Sequence, residues 1–438
     1  MNRLEAAVRR TFASLRSYNY RLYFSGQIVS ASGTWMQTIA QSWLVLKLSG
    51  SGTALGLVTG CQFLPVLLLS PLAGVVVDRL EKRRLLYLTQ GLLGLLALLL
   101  GLLTATETIR LWMMYLLAFC MGTVNAFDVP GRQTFVFEMV GPDSLSNAVT
   151  LNSVVMNGAR VVGPAIAGVL IATVGLAPCF LVNGLSFLAC IAALAAMRPL
   201  ELVRSTPSAR HPGQLAQGLR YVWRDPALRT PLLLMAAIGT LAYEFQVSLP
   251  LVAKFSFGAG ADAYAAMTSA MGLGAVAGGL VVAHRGRPTR RELGIAGLLF
   301  GALILLACAM PSLGAMLLVL PWMGAASIGF IALANSNLQL AAEPEMRGRV
   351  MALYSMAFLG STPVGGPIVG WVGETFGARW SLALGGVTAV VASLLAWRSL
   401  QRPASASSAA PAEGRRDRAS TDPTDPGRSR AEMNAPGR

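Results

Sequence analysis

Residues 74–84 read Gly74-Val-Val-Val-Asp78-Arg79-Leu80-Glu81-Lys82-Arg83-Arg84; they end one long apolar segment, 54–77, and precede another, 85–104. Each segment has the roughly 20 residues that an α-helix needs to cross the hydrocarbon core of a bilayer. The stretch between them is short and strongly charged, and unpaired charges are costly inside a membrane. It therefore predicts a tight loop at the membrane surface between two transmembrane helices.

Twelve apolar runs of this kind follow one another along the 438-residue chain. They cover residues 22–46, 54–77, 85–104, 111–130, 147–174, 178–197, 230–252, 263–283, 293–310, 313–336, 350–373 and 378–397. Only 13% of the residues are charged and 54% are hydrophobic, whereas a soluble protein carries about 25% charged residues. Helices satisfy their own backbone hydrogen bonds in lipid. The sequence therefore predicts an all-α integral membrane protein with twelve transmembrane helices.

Basic residues are concentrated in every second loop. One set of loops contains the amino-terminal arm, residues 79–84, Arg132, the central loop, residues 285–291, residues 347–349 and the arginine-rich tail. The other set holds only Lys47, Arg110, Lys254 and Arg379. Because basic loops stay in the cytoplasm, both termini and the central loop are predicted to be cytoplasmic in a bacterial inner membrane. This distribution explains the net charge of +15 without a nucleic-acid partner.

The pattern divides the chain into five segments. They are an amino-terminal arm (1–21), a first six-helix bundle (22–197), a central cytoplasmic loop (198–229), a second six-helix bundle (230–398) and a disordered cytoplasmic tail (399–438). An internal repeat supports the two bundles. Gly163-Pro164 in the fifth run has a counterpart six helices later, Gly366-Pro367 in the eleventh run.

Three motifs point to a known family. Residues 74–83 have the spacing Gly-x-x-x-Asp-Arg-x-x-Lys-Arg, the segment 158–168 combines three glycines with a proline, and Asp128-Val-Pro-Gly-Arg132 is followed by Asn147, Asn152 and Asn157. On these motifs the chain resembles the major facilitator superfamily over about residues 15–400. It looks most like the branch of enterobactin exporters and related drug and macrolide efflux proteins. The resemblance implies a monomeric transporter whose two six-helix bundles alternate access to a central site.

The resemblance gives the loop motif the role of a latch. Its residues are Gly74, Asp78, Arg79 and Arg83. The two arginines could pair with Asp128 or Glu138 near the inner end of the fourth helix, and so close the cytoplasmic side. The alternative is that these charges only fix the membrane topology.

The fifth-helix motif resembles that of the superfamily's antiporters. Its residues are Gly158, Gly163, Pro164 and Gly168. Glycines let a neighbouring helix approach closely, and the proline bends the helix axis. The resemblance implies that this packing seals a leak route, and plain small-residue packing is the alternative.

Charged residues at membrane depth are few. Glu244 is the acid nearest the middle of a run, Asp128 lies near the cytoplasmic end of the fourth run, and Arg160 is the base near mid-span. Because burial favours the neutral form of a carboxylate, such a group can exchange protons near neutral pH. Glu244 and then Asp128 are therefore the proton-coupling candidates, with a structural hydrogen-bonding role as the alternative. Arg160 keeps its charge and needs a carboxylate, helix carbonyls, water or an anionic substrate.

Polar side chains in several runs predict a wet central cavity for a ligand of mixed polarity. The candidates for substrate contact are Arg160, Gln27, Gln37, Gln41, Asn125, Asn157, Tyr243, Gln246, Asn335 and Asn337.

Sequence motifs of other function classes are absent. The chain has no phosphate-binding loop, no nucleophile motif and no Cys-x-x-Cys pair, so we expect no enzyme, cofactor or metal site. The leading hypothesis is a secondary active transporter, a proton-coupled antiporter that exports a siderophore, drug or related metabolite. The alternatives are an importer or lysolipid flippase of the same fold, or a membrane scaffold or sensor that does not transport.

Overall fold

The regular elements in the described part of the chain are helices. The computed structural model describes residues 12–203, 214–284 and 289–401. Most of the predicted arm, part of the central loop and the predicted tail beyond residue 401 lie outside the described residues.

The helix order follows the predicted runs. The helices are α1 (Tyr18–Ser49), α2 (Gly52–Arg79), α3 (Lys82–Ala105), α4 (111–140), α5 (142–173), α6 (Ala177–Ala196), α7 (Gln214–Arg224), α8 (Pro226–Ala242), α9 (Phe245–Leu251), α10 (Ala261–His284), α11 (Arg290–Ala309), α12 (Leu313–Ala341), α13 (Pro344–Leu359), α14 (Thr362–Thr375) and α15 (Ala378–Gln401). A π-helical turn, Val252–Ser256, continues α9.

A bend at Gly141 separates α4 from α5 in the long helix Leu111–Thr173. Gly141 has φ 68° and ψ −178°, a conformation that glycine adopts without steric cost. Pro142 follows it, and a proline disfavours helical geometry in the residue before it. The Gly-Pro pair therefore turns one continuous helix into two spans.

Twelve spans result from this arrangement. Nine helices in the described ranges are long and apolar enough to cross a membrane, and Leu111–Thr173 supplies two spans. The more polar α1 is another span. The last is formed by α13 and α14, which are interrupted at Gly360 and Ser361. The predicted all-α fold of twelve transmembrane helices is confirmed.

The first and second sets of six spans form two halves that meet along two seams. In one seam α2 packs against α14, and in the other α5 packs against α10. We name the membrane side where α1 begins and α15 ends the terminal side. The opposite side, where α1 ends and α2 begins, is the far side.

Two segments differ from the prediction. Residues 131–146 are helical apart from the bend at Gly141, so Arg132 lies within α4 and not in a loop. The predicted central loop contains the amphipathic helix α7, in which Val222 is fully buried and Trp223 is exposed. Both segments were predicted as loops because they contain many polar residues. Each forms a helix that is apolar on only part of its surface.

Candidate functional site

The α2–α14 seam is closed by glycines on the far side. A methyl group on Gly56 would overlap the backbone of Gly366, and one on Gly52 would overlap the Gly370 carbonyl. The two helix backbones therefore touch directly, which only glycine permits. Towards the terminal side the contact continues past Gly60, which lies beside Pro363, to Leu67, whose side chain packs against Gly360.

Two charged side chains of the second half clasp helix ends of the first half on the far side. Glu374 accepts hydrogen bonds from the Ser51 hydroxyl (2.6 Å) and the Thr53 backbone N–H (2.8 Å) at the start of α2. Lys254 donates to the Leu46 carbonyl (2.8 Å) in the last turn of α1. An acid at a helix N-terminus and a base at a helix C-terminus both complement the helix dipole. We refer to these contacts as the far-side clasp.

The α5–α10 seam ends at the middle of the membrane. On its far-side part a methyl group on Gly168 would lie 3.0 Å from the Ala265 side chain, and Ser269 donates to the Val161 carbonyl (3.0 Å). Nearer the middle of the membrane, Gly272 packs against the backbone of Arg160.

Beyond that level the two helices of this seam stand apart. No described atom lies within 4 Å of a methyl group placed on Gly158. Val154 of α5 and Leu280 of α10 are 62% and 68% exposed. The halves are therefore in direct contact at the far side, and the α5–α10 seam opens towards the terminal side.

The fifth-helix motif is divided between different neighbours. Gly163 packs against the backbone of α1 at Ser32, within the first half, whereas Gly168 faces α10 across the seam. Pro164 is buried beside them. Gly158 faces open space.

Glu244 lies buried against α14, at the point where α8 ends and α9 begins. It is the residue between Tyr243 and α9, it is 4% exposed, and its carboxylate faces Gly365 and Gly366 of α14. The Thr362 side chain hydrogen-bonds with the carboxylate. The Oε1 atom has no hydrogen-bond partner among the described residues. An unpartnered oxygen on a buried carboxylate is unusual, because buried polar groups are generally hydrogen-bonded.

Arg160 reaches the centre of the molecule from α5. Its guanidinium lies 4.9 Å from the centroid of the Trp35 ring of α1, a cation–π contact. Tyr243, from the other half, lies near the guanidinium. The Tyr243 ring is held at the edge of an aromatic cluster, with Phe300 at 5.0 Å and Phe358 at 5.2 Å between centroids.

A small polar cavity lies between the two halves, in the far-side part of the molecule. It is lined by Thr38, Gln41, Ser42, Val45, Leu55, Val58, Thr59, Gln62 and Gln246. Gln41 donates to Gln62 (3.1 Å). The predicted candidates Gln41 and Gln246 are thus brought together where α1, α2 and α9 meet.

Asp128 is fully buried inside the first half, in an ion pair that the sequence did not reveal. Its Oδ1 accepts from Thr89 (2.7 Å) and Gln90 (2.8 Å) of α3. Its Oδ2 lies 2.7 Å from Nε of Arg132, an ion-pair distance without the alignment of a hydrogen bond. Arg132 also donates to Gln27 (3.2 Å). Asp128 is therefore neutralised within its own half.

Gln27 and Gln37, which were predicted to line the central cavity, make their side-chain hydrogen bonds within the first half. Gln27 is tied to Arg132, and Gln37 accepts from Asn183 of α6 (2.6 Å) and contacts the Met121 sulfur of α4 (3.5 Å). Both amides satisfy their hydrogen bonds in helix packing within the first half.

The asparagine candidates make mainly local contacts. Asn157 donates to the Ser153 carbonyl of its own helix (2.8 Å), and Asn335 bonds with Gln339 in α12. Asn337 donates to the Leu333 carbonyl of α12 (2.9 Å) and lies near the Thr289 carbonyl before α11 (3.5 Å). Asn125 is half-buried in α4.

The predicted latch pairs are not formed in this conformation. Arg83 donates to the Leu194 carbonyl (3.0 Å) at the end of α6, and Glu138 lies 3.7 Å from Lys82. Arg79 is exposed at the end of α2, the helix that also carries Gly74 and Asp78. The lysine rather than either arginine faces the fourth helix, because α3 begins at Lys82 and turns Arg83 towards α6.

Twelve spans in two halves, with closely packed seams and buried charges between them, define a membrane transporter of the major facilitator fold. A sequence profile of the transmembrane secretion effector family of that superfamily matches residues 9–420. The chain belongs to this family, which is a family of transporters and not of enzymes.

Curated relatives include proteins of three bacteria. The chain is 32% identical to the staphyloferrin A transporter of Staphylococcus aureus over 168 residues, which is 38% of this chain and 42% of that protein. It is 25% identical to the transporter YfiS of Bacillus subtilis over 214 residues, 48% of this chain and 50% of YfiS. The match therefore spans half or less of these two relatives. It is 25% identical to the multidrug efflux pump Tap of Mycolicibacterium fortuitum over 362 residues, 80% of this chain and 88% of Tap.

Solved structures share the fold at low sequence identity. A bacterial homolog of the human lysosomal transporter Spinster, in an inward-facing unoccupied conformation, superposes with a TM-score of 0.71 and 15% identity, covering 88% of this chain and 97% of that chain. The nucleoside transporter NupG gives a TM-score of 0.67 and 14% identity, covering 89% of this chain and all of NupG (100%).

Proposed function

We propose that the chain is a proton-coupled antiporter that exports a small organic molecule, with Glu244 as the proton carrier. The observation that carries the proposal is the buried carboxylate of Glu244 with its free oxygen, packed against the glycines of α14. Contact between α2 and α14 seals this carboxylate from the far side. Separation of the two helices would open a path to it. A proton carrier of an antiporter needs such alternating exposure.

The direction of transport follows from the orientation we assign. The basic loops support a cytoplasmic terminal side, in a bacterial inner membrane where the protein works as a monomer. The described conformation is then open to the cytoplasm, and it can load substrate there. In the opposite conformation, substrate would leave on the far side and Glu244 would take up a proton from outside. Return to the cytoplasm-open state would release that proton inside.

The substrate class we propose is a siderophore, drug or related metabolite. Two named relatives are a siderophore transporter and a multidrug efflux pump. The centre of this chain combines an aromatic cluster around Tyr243 with the polar cavity at Gln41 and Gln246. That combination suits a ligand with both apolar and polar parts.

The test is transport by inside-out membrane vesicles that contain the wild-type chain or Glu244→Gln. Respiration acidifies the vesicle interior, and wild-type vesicles should then accumulate ethidium or a labelled siderophore. We expect Glu244→Gln to reduce this accumulation at least about tenfold, while ligand binding to the purified protein persists. Glu345→Gln, at an exposed position of α13, is the matched control.

Other outcomes would overturn parts of the proposal. Unchanged accumulation by Glu244→Gln would exclude this carboxylate as the proton carrier. Proton-driven loss of substrate from the vesicles would indicate an importer, and movement of lysolipids alone would indicate a flippase. Failure to transport any compound of a broad panel would favour a scaffold or sensor.

A further inference from the structure

The first half contains two arginines at depth, and only one of them is neutralised. Arg132 is paired with Asp128 and also bonds to Gln27. Arg160 takes part in no ion pair and no side-chain hydrogen bond within the described residues, although it is half-buried. Its defined contact is the face of Trp35. A guanidinium cannot lose its proton, so the charge of Arg160 is available to pair with an anionic ligand.

Arg160 also lies where a ligand can reach it. Its backbone packs against Gly272 in the α5–α10 seam, and Gly158, two residues earlier on the terminal side, faces open space. The guanidinium is therefore at the inner end of the opening towards the terminal side. The neighbouring groups come from both halves, Trp35 from α1 and Tyr243 from the second half.

We infer that Arg160 binds a carboxylate of the transported molecule, and that the substrate is an amphipathic organic acid; this inference rests on the proposed transport function. A guanidinium presents paired N–H donors that match a carboxylate. The Tyr243 hydroxyl already donates to the Ser327 carbonyl (2.7 Å), so Tyr243 offers its ring rather than its proton. Trp35 and Tyr243 thus provide apolar surfaces for the body of the ligand, and Arg160 provides the polar contact.

Binding of such an acid would bridge the halves. The carboxylate would neutralise a charge of the first half while the ligand body contacts Tyr243 of the second half. A ligand held by both halves binds the two conformations with different affinity, which is the condition for driving a conformational change.

The experiment compares two dyes that differ in one group. Rhodamine 110 has a free carboxylate, and rhodamine 123 is its methyl ester. Their binding to the purified full-length protein is measured by fluorescence polarisation. Wild type should bind the acid at least about tenfold more tightly, a ratio that corresponds to about 1.4 kcal/mol. Arg160→Gln should bring the ratio close to one, and Arg160→Lys should give an intermediate value.

Controls separate this effect from misfolding. Arg110→Gln makes the same replacement at an exposed far-side position and should keep the wild-type ratio. Retained binding of rhodamine 123 by Arg160→Gln shows that its site is folded. The inference is overturned if wild type binds no acid or shows no preference, or if the preference survives in Arg160→Gln. Tighter binding of lysophosphatidylglycerol than of rhodamine 110 would assign the arginine to a lipid phosphate and also overturn it.

A parallel measurement separates this inference from the proposed function. Proteoliposomes with a pH gradient report whether either dye drives proton movement. Preference for the acid without proton movement would support the carboxylate site and refute proton-coupled export. Proton movement driven equally by both dyes would support proton-coupled export and refute the carboxylate site.

Discussion

Removing the charge of Glu374 should open the far side of the molecule. In Glu374→Gln the clasp to α2 loses its carboxylate, although a neutral acceptor remains for the Ser51 hydroxyl or the Thr53 N–H. The clasp exists only while the halves are in contact at the far side. Its loss therefore lowers the stability of the described conformation relative to the opposite one.

The structure sets the size of this effect. A hydrogen bond to a charged group contributes about 1.5–3 kcal/mol in a buried site, but exposed charges contribute at most about 1 kcal/mol. Glu374 is exposed, and the dipole of α2 adds about 0.3–1 kcal/mol. Because a neutral acceptor remains, we expect the described conformation to lose roughly 1 kcal/mol of stability relative to the opposite one. This corresponds to a population shift of about fivefold, since about 1.4 kcal/mol is tenfold.

The clasp should also respond to pH. Hydrogen bonds from Ser51, and then from Thr53, hold the pKa of Glu374 at the far-side mouth below its ordinary value. In the open state these donors are lost and the pKa of Glu374 returns to its ordinary value. The stabilisation of the closed far side is therefore fully present above the ordinary pKa, and it disappears as pH falls through the lowered pKa. Glu374→Gln should abolish this dependence.

Hydrogen–deuterium exchange in lipid nanodiscs measures the shift directly. Far-side peptides of both seams, residues 50–58 with 368–376 and 164–170 with 262–268, should exchange about fivefold faster in Glu374→Gln. Terminal-side peptides of α5 and α10, 149–158 and 273–282, should exchange more slowly because the opening there closes.

Local fraying of α2 would give a different result. Faster exchange confined to residues 50–58, with the α5–α10 seam unchanged, would refute the role of the clasp in holding the halves together. Glu107→Gln is the matched control, because Glu107 is an exposed far-side acid in the loop after α3. An equal effect of that replacement would refute the reasoning as well.

Three further predictions concern packing and buried charge. Gly56→Ala places a methyl group against the α14 backbone, so we expect transport in vesicles to fall at least about tenfold at normal expression. Asp128→Asn leaves Arg132 buried without its counter-charge, and we expect a loss of about 3–5 kcal/mol in the unfolding free energy measured with denaturant. Arg83→Gln removes the bond to the end of α6, and we expect a loss of about 1 kcal/mol in the same assay.

Each of these predictions has a matched control. Gly91→Ala adds a methyl group to α3 where no described atom lies within 4 Å, and it should leave transport unchanged. Asp143→Asn is the same replacement at an exposed position and should change stability by less than about 0.5 kcal/mol. Arg84→Gln removes an arginine whose ion pair with Glu81 is solvent-exposed. Wild-type transport by Gly56→Ala, or a stability of Asp128→Asn or Arg83→Gln equal to its control, would contradict the corresponding prediction.

The fold was predictable because membrane spans are a property of local sequence. Each helix satisfies its backbone within its own segment, so apolar length alone identifies most spans. The Gly141-Pro142 bend was less visible, because polar residues on both sides of it read as a loop. The central loop concealed α7 for the same reason, as an amphipathic surface helix has no continuous apolar run.

The contacts of the site depend on helix rotation and on distant parts of the chain. The Asp128–Arg132 pair could have been inferred, since residues four apart face the same side of a helix; the expected loop at Arg132 prevented this. Gln27 and Gln37 could not be assigned to a face, because α1 carries polar residues all round. The Glu374 clasp joins residues more than 300 positions apart and has no local signal.

Glu244 lies against α14, the helix that carries Glu374, and this links proton uptake to opening in the proposed cycle. Glu244 faces Gly365, and Glu374 lies nine residues later on α14, about 14 Å along the helix axis. The stretch of α14 between these two residues packs directly against α2. In the proposed cycle, one separation of α2 from α14 therefore breaks the clasp and gives outside protons access to Glu244. Independent gates would instead allow Glu374→Gln to change far-side exchange without changing Glu244-dependent transport. A single gate requires both to change together.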